Sequence, residues 1–225
     1  MSTSQQTGIA LKAITSDDNL FAYATGSLSL AKHVMITCQA EISDKVSQKI
    51  GLFETIAASA LEDVETVSLS DNFMDNVIKA LPARHAVEQD NLKTTGLAPR
   101  TLRNILGHGL KDMKWKSLVP GVAVHDVLGN RRYEESDRIY LLKAKGGMQM
   151  PLHGHKGEEW SLVLTGSYTV GDQTYERGDL HIEDESEIHA PHINEGEDCI
   201  CLIMTEGPLV MQDFLPKVVQ KVVGI

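Results

Sequence analysis

The chain has 225 residues, of which 42% are hydrophobic and 23% are charged, and its formal net charge is −10. Such an acidic chain lacks the basic clusters that neutralise phosphates and has no run of ~20 apolar residues, so neither direct nucleic-acid binding nor a membrane span is expected. Three cysteines are too few for a disulfide scaffold and the N-terminus has no basic-then-apolar secretory signal, which together predict a cytoplasmic protein.

Four short amphipathic helices are predicted in the first third of the chain, because apolar residues recur there at i, i+3 and i+4. Helices this short are stable only when they bury their apolar stripes against one another. Residues 1–82 are therefore predicted to form a helical module, and any apolar side left uncovered would be a partner-binding surface. The predicted helices follow Ser16 and end at Gly26, run from Ser29 through Val46, begin after Gly51, and run from Asp71 to Leu81 before Pro82.

The second half of the chain has a different pattern. Residues 83–101 have no clear period and contain Gly96 and Pro99, which predicts a linker. In residues 102–225, short apolar runs alternate with turn residues, a spacing typical of an antiparallel sandwich or barrel. The predicted fold class is α+β, with a small N-terminal helical bundle followed by a β-barrel, and a closing helix is predicted at 212–223. The clearest apolar runs lie at 138–142, 161–164, 168–170 and 199–204.

A cluster of metal-ligand residues lies within the predicted barrel. His153 and His155 are two residues apart, so on an extended strand both imidazoles point to one face. Glu159 follows after a short turn, and two histidines with one carboxylate inside a barrel outline a metal site that lacks one ligand. His189 is the best fourth candidate, because it follows an acidic turn and returns the chain to a strand.

This part of the chain resembles the cupin motifs. Residues 147–166 match the first motif, G-x5-H-x-H-x3-E-x6-G, at every spacing. Residues 178–189 match the second motif more loosely, since Asp184, Ser186 and Ile193 stand where Pro, Gly and Asn are usual. The resemblance implies a cupin β-barrel, or double-stranded β-helix, with one divalent metal. The implied ligands are His153, His155, Glu159 and His189.

Several further segments carry a second resemblance. They are residues 97–103, 153–159, 198–202 and 214–216 in the second half of the chain, and residues 23–28, with the pattern Tyr-Ala-x-Gly-x-Leu, in the first. Through these segments nearly the whole chain is similar to the ChrR-type anti-sigma factors, whose cupin domain the first four resemble and whose N-terminal signature the last resembles. In that family the helical module binds an extracytoplasmic-function sigma factor and keeps it from RNA polymerase. The cupin domain is implicated in the response to an oxidative signal such as singlet oxygen. The resemblance implies a cytoplasmic regulator of transcription with zinc, or alternatively Fe, Mn, Ni or Co, in its cupin site.

The helical module departs from that family in one respect. Related modules usually bind zinc through a histidine before the first helix and a later H-x3-C-x2-C. The matching positions here are Ile14, Gln39, Ser43 and Val46, none of which is a usual zinc ligand. The module is therefore predicted to fold without zinc, with apolar side chains replacing part of the stabilisation that the metal supplies.

Two other functions are compatible with these residues. A site of three His and one Glu leaves positions open on an octahedral ion, so a metal-dependent enzyme such as a dioxygenase or an isomerase is the main alternative. Only His181, His192 and Trp160 are available as additional pocket groups, which is thin support, and no catalytic residue is assigned. A binding module for a small molecule in the cupin pocket fits the barrel but leaves the helical half unexplained.

Several side chains near the site are given ordinary structural roles. Cys199 and Cys201 are interpreted as core residues of a strand, because buried thiols behave as small hydrophobes. Trp160 is interpreted as barrel packing. Glu158 and the acidic run 183–187 are interpreted as solvated.

Overall fold

The structure is a computed structural model that describes residues 14–62, 64–81, 98–128 and 137–211. Helices precede a set of antiparallel strands, so the predicted α+β class is confirmed. Most of the predicted linker and the predicted closing helix at 212–223 lie outside the described residues. The helices are α1 (Asp17–Ala24), α2 (Leu30–Ile42), α3 (Asp44–Ser59), α4 (Phe73–Ala80) and α5 (Arg100–Leu106). The strands are β1 (Lys116–Val119), β2 (Val122–Asp126), β3 (Arg138–Ala144), β4 (His153–His155), β5 (Glu159–Thr165), β6 (Ser167–Val170), β7 (Gln173–Glu176), β8 (Leu180–Glu183), β9 (Ile188–His189), β10 (His192–Ile193), β11 (Cys199–Thr205) and β12 (Leu209–Met211).

Helix α1 forms as the sequence predicts. The Ser16 hydroxyl accepts a hydrogen bond from the Asn19 amide at 3.2 Å, which satisfies one of the free N–H groups of the first turn. Gly26 follows the helix with φ at +69°, a left-handed conformation that side chains disfavour. Both ends of α1 are therefore determined by local sequence.

The predicted boundary between the second and third helices is wrong. Helix α2 ends at Ile42 rather than continuing through Val46, and α3 begins at Asp44 rather than after Gly51. Ser43 separates them because its backbone is extended, with φ −119° and ψ 107°. Gly51 lies inside α3 at an exposed position, where an added Cβ would meet nothing within 4 Å, so a residue of low helix propensity does not end the helix there.

Helix α4 has the predicted position but not the predicted packing. Its apolar residues were expected to enter the core of a four-helix module, whereas none of its residues is buried. Helices α1, α2 and α3 contact one another and contribute the buried residues of this part of the chain. The apolar stripe of α4 is left exposed to solvent.

The strands form a barrel of antiparallel sheets. The largest sheet has six strands in the order β1-β2-β3-β11-β5-β8. Two three-stranded sheets, β10-β6-β7 and β12-β4-β9, make up the rest. The four apolar runs noted in the sequence correspond to β3, β5, β6 and β11, so the strand predictions are confirmed.

Strand β5 lies between two hydrophobic cores, and all seven of its residues are buried. Alternation along a strand sends successive side chains to opposite faces. Trp160, Leu162 and Leu164 belong to the same cluster as the buried residues of α1, α2 and α3. Val163 belongs to the second cluster, inside the barrel. Helices α1, α2 and α3 thus share one hydrophobic core with the outer face of the barrel.

Polar contacts reinforce this packing between helices and barrel. Gln39 is fully buried in α2, and its Nε2 donates to the Gly178 carbonyl at 3.1 Å. Gly178 has φ at +92°, and a side chain there would meet Ile42 Cγ2 at 2.9 Å, so the close approach requires glycine. The sequence alone did not predict α5, which packs against α2. Leu102 of α5 is fully buried in the shared core.

The positions that match the zinc ligands of related modules have other roles here. Val46 is fully buried and Ile14 packs against the shared core. Gln39 binds the barrel, and Ser43 separates two helices. Among the described residues, the groups of side chains suited to a metal all lie in the barrel. No described helix is both long and apolar enough to cross a membrane.

A lysine on α2 makes ion pairs with two barrel carboxylates. Lys32 Nζ lies 2.9 Å from Glu158 Oε2 and 2.7 Å from Glu206 Oε1, and it sits 5.3 Å from the centre of the Trp160 ring. Burial lowers the pKa of Lys32, but hydrogen bonds to Glu206 and Glu158 outweigh this and raise it. Glu158 was predicted to be solvated; it is half-buried and also accepts from Trp160 Nε1 at 2.9 Å. The prediction of a purely solvated Glu158 is therefore wrong.

Lys32→Met is expected to lower the free energy of unfolding by about 1 kcal/mol. The substitution keeps an apolar stem over Trp160 but leaves two neighbouring carboxylates without their shared cation. Urea unfolding followed by circular dichroism measures the change. Lys49→Met is the matched control, because Lys49 forms one ion pair within the described part of the chain, with Asp17 at 2.6 Å and with greater exposure. Its loss should cost less than about 0.5 kcal/mol. Equal effects of the two substitutions would contradict the prediction.

Candidate metal centre

Three short strands bring the four predicted ligands together. His153 and His155 lie on β4, Glu159 begins β5, and His189 ends β9. Strands β4 and β9 pair with His153 directly opposite His189. One potential ligand atom from each of the four residues lies within 4.8 Å of the others, and all four residues are buried. The predicted cluster is therefore assembled inside the barrel.

Hydrogen bonds fix the orientation of two of the imidazoles. His153 Nδ1 lies 2.8 Å from the Pro151 carbonyl oxygen. A carbonyl only accepts, so this nitrogen carries the hydrogen and Nε2 presents a lone pair. His189 Nδ1 donates to the Glu183 carboxyl group, so Nε2 of His189 also carries a lone pair. The two Nε2 atoms lie 2.9 Å apart, and two lone pairs at this separation are stable only with a cation or proton between them.

His155 completes the set of nitrogen donors. Among the described residues, neither of its ring nitrogens has a hydrogen-bond partner, although the ring is buried. Its Nδ1 lies 3.3 Å from Glu159 Oε2. Burying an imidazole without hydrogen bonds costs free energy, and a metal ligand bond removes that cost. The donor set therefore fits a metal ion.

The protonation states of the histidines suit metal binding. Burial, with the neighbouring His189, lowers the pKa of His153 to about 4, and burial lowers that of His189 to about 4 as well. Burial and the two other histidines lower the pKa of His155 to about 3. All three rings are thus neutral near pH 7, the form in which imidazole is a ligand.

Two carboxyl groups face each other beside the histidines. Glu159 of β5 is directly opposite Glu183 of β8, and both are buried. Burial, followed by the charge of Glu183, raises the pKa of Glu159 to about 8. Adjacent buried carboxylates repel each other, and a divalent cation would remove this cost.

Sequence reasoning missed Glu183. The run 183–187 was interpreted as a solvated turn, which is wrong for its first residue, whereas residues 184–187 are exposed. Glu183 is the last residue of β8, two positions after His181, so both side chains point into the barrel. This i, i+2 relation was visible in the sequence, as it was for His153 and His155.

The other candidate pocket residues have distinct surroundings. His181 is buried, and its Nδ1 lies 3.1 Å from the Tyr168 hydroxyl. His192 is exposed and does not join the cluster. Cys199 and Cys201 are buried in the barrel core as predicted, with their Sγ atoms 3.6 Å apart. Trp160 packs on the barrel's outer face against the helices, which refines its predicted role in packing.

Comparison with known proteins agrees with this architecture. Residues 107–209 match the family model described as the ChrR cupin-like domain, which defines the β-barrel as a cupin. The chain is 32% identical over 205 residues to the anti-sigma-E factor ChrR of Cereibacter sphaeroides, covering 91% of this chain and 94% of the relative. The chain therefore belongs to the ChrR family of anti-sigma factors.

Two solved structures are also similar to this chain. The crystal structure of Rhodobacter sphaeroides SigE in complex with the anti-sigma factor ChrR matches with a TM-score of 0.69 and 30% identity, over 85% of this chain and 97% of that one. An RmlC-like cupin protein from Ralstonia eutropha JMP134 matches with a TM-score of 0.41 and 29% identity, over 46% of this chain and 69% of that one. The family relationship favours a regulator without enzymatic activity over a dioxygenase or isomerase.

Proposed function

We propose that the chain is an anti-sigma factor that binds an extracytoplasmic-function sigma factor through an exposed apolar surface between α3 and the end of α4. The observation that carries this proposal is the amphipathic helix α4, which has an apolar stripe and no buried residue. Membership of the ChrR family, and the SigE complex of the similar protein, support the choice of partner.

The proposed binding surface, here called the 61–81 surface, is unusually apolar for exposed chain. A helix as short as α4 is marginal in water when its apolar side is uncovered. Contiguous exposed apolar residues of this kind mark protein-binding sites. The surface comprises Leu61, Val64, Val67, Leu69, Phe73, Met74, Val77, Ile78 and Leu81.

The second part of the proposal concerns the barrel. We propose that His153, His155, Glu159 and His189 hold one divalent metal, with zinc as the first choice by family resemblance and Fe, Mn, Ni or Co as alternatives. The facing Nε2 lone pairs of His153 and His189 support this assignment. A bound metal would offset the charge of the carboxylates and link β4, β5 and β9.

The two parts have separate roles in the proposed mechanism. Residues 1–82 would bind the sigma factor, and residues 83–101 would link this module to the cupin domain. The cupin domain, residues 102–225, would respond to an oxidative signal or to a small molecule in its pocket. Release requires a state of the cupin that lowers the affinity of the helices for the sigma factor. Because sigma factors act on RNA polymerase, the proposed location is cytoplasmic.

The test is co-purification of the tagged full-length chain from its native cells, followed by mass spectrometry. A sigma factor that elutes at near one-to-one stoichiometry is the expected result. A chain with Phe73 and Val77 both replaced by aspartate is the control, and it should recover much less sigma factor. Absence of any sigma factor from the native chain would contradict the proposal.

A further inference from the structure

The carboxyl group of Glu183 lies behind one of the proposed metal ligands. Glu183 Oε1 contacts His189 Nδ1 and lies 3.4 Å from His181 Nε2. The same carboxyl group reaches His155 Nε2 only at 3.9 Å, through Oε2. Of these three contacts, the nearest is with Nδ1 of His189, the ring nitrogen that faces away from His153.

The surroundings hold this carboxyl group in place. Tyr168 lies 3.1 Å from His181 Nδ1, so its hydroxyl can donate there and leave the hydrogen of His181 on Nε2, facing Glu183. The ring of His181 is also stacked on Tyr175, with the ring centres 4.1 Å apart. Glu183 is thus fixed by β8 and by a buried aromatic cluster.

We infer that Glu183 is a positioning residue of the metal centre, which holds His189 in the tautomer that presents Nε2 to the ion. The inference rests on the proposed metal site. A carboxylate that accepts from the second nitrogen of a ligand histidine fixes the ring and strengthens its donor atom. Glu183 is placed to act in this way, because it is buried and its carboxyl oxygen faces Nδ1 of His189.

The inference also explains why two carboxyl groups face each other at a cost in free energy. Glu183 stands directly opposite Glu159 on the neighbouring strand, and like charges in this position destabilise a sheet. An ordinary core would have an apolar residue at one of the two positions. Such a pair is expected if Glu159 binds the ion directly and Glu183 accepts a hydrogen bond from the ligand His189.

The test compares Glu183→Ala and Glu183→Gln with Glu185→Gln, an exposed control two residues along the chain that belongs to neither group of possible metal ligands. Zinc affinity is measured by competition with a chromophoric chelator. The tautomer of His189 is read from the nitrogen-15 shifts of the metal-free chain. Glu183→Ala should weaken zinc binding by about 10–100-fold and deplete the tautomer with hydrogen on Nδ1. Glu183→Gln keeps an oxygen acceptor and should retain the tautomer with a smaller loss of zinc affinity, whereas Glu185→Gln should change neither the affinity nor the tautomer.

Several results would overturn the inference. One is a Glu183→Ala chain with unchanged zinc affinity and an unchanged His189 tautomer. Another is a Glu183→Gln chain that retains the tautomer but binds zinc as poorly as Glu183→Ala, since Glu183 would then act as a direct ligand. If the native chain bound neither zinc nor Fe, Mn, Ni or Co, the metal proposal itself would fail. The tautomer measurement would still test the contact between Glu183 and His189.

Discussion

Val77→Asp is expected to weaken binding of the sigma factor by about 30-fold or more. Val77 lies in the middle of the apolar stripe of α4 and is 39% exposed. In the proposed complex this side chain is covered, so the substitution removes an apolar anchor and desolvates a new carboxylate. Losses of about 2 kcal/mol or more are typical for central anchors of an interface, and this corresponds to the stated factor. Isothermal titration calorimetry of the full-length chain with the purified sigma factor measures it.

Asn76→Asp is the matched control for this prediction. It adds the same negative charge one residue earlier on the same helix, but outside the apolar stripe. It should change the affinity by less than about threefold, because an exposed charge contributes little. If both substitutions weakened binding equally, overall charge rather than the apolar stripe would govern recognition, and the assignment of the 61–81 surface would be wrong.

His155→Ala is expected to reduce the bound metal from about one ion per chain to near zero, while the helices keep their sigma factor. The ring of His155 has no hydrogen-bond partner among the described residues, so its removal leaves only the three other donors. Loss of one of four ligands makes the site weak and open to solvent. Metal content is measured by inductively coupled plasma mass spectrometry after dialysis, and sigma-factor binding is measured on the same sample.

His192→Ala is the control for the metal prediction. His192 is exposed and lies three residues beyond His189, so its loss tests whether any nearby histidine affects the metal. The His192→Ala chain should retain about one metal ion per chain. A His155→Ala chain with stoichiometric metal would contradict the ligand assignment. Loss of sigma-factor binding together with the metal would contradict the separation between helices and sensor.

The grouping of three histidines and one glutamate could be predicted because the residues that determine it lie close together in the sequence. Fixed offsets place His153, His155 and Glu159 on one side of two consecutive strands, and only His189 had to be added from a distant position. Helix α1 was predictable for the same reason, since a capping serine and a terminal glycine lie within its own sequence. Such signals act within a few residues and do not depend on the rest of the fold.

Other features depend on contacts between distant parts of the chain. The ion pair between Lys32 and Glu206 joins residues 174 positions apart, and nothing in either local sequence indicates it. The burial of Glu183 was not predicted, because the four acidic or polar residues that follow it are typical of a solvated turn. The break at Ser43 was missed because the buried residues of α2 and α3 continue one apparent helical stripe across it.

All seven side chains of strand β5 are buried, so none of them can move into solvent when the strand shifts. Its first residue, Glu159, is one of the four proposed metal ligands, and the next, Trp160, packs against the helices and lies beside Lys32. Packed protein interiors compress little and transmit strain. A shift of Glu159 by a few tenths of an ångström must therefore be accommodated on the helical side or within the barrel. The proposed metal ligands and the core shared with helices α1, α2 and α3 are therefore separated by the thickness of a single strand.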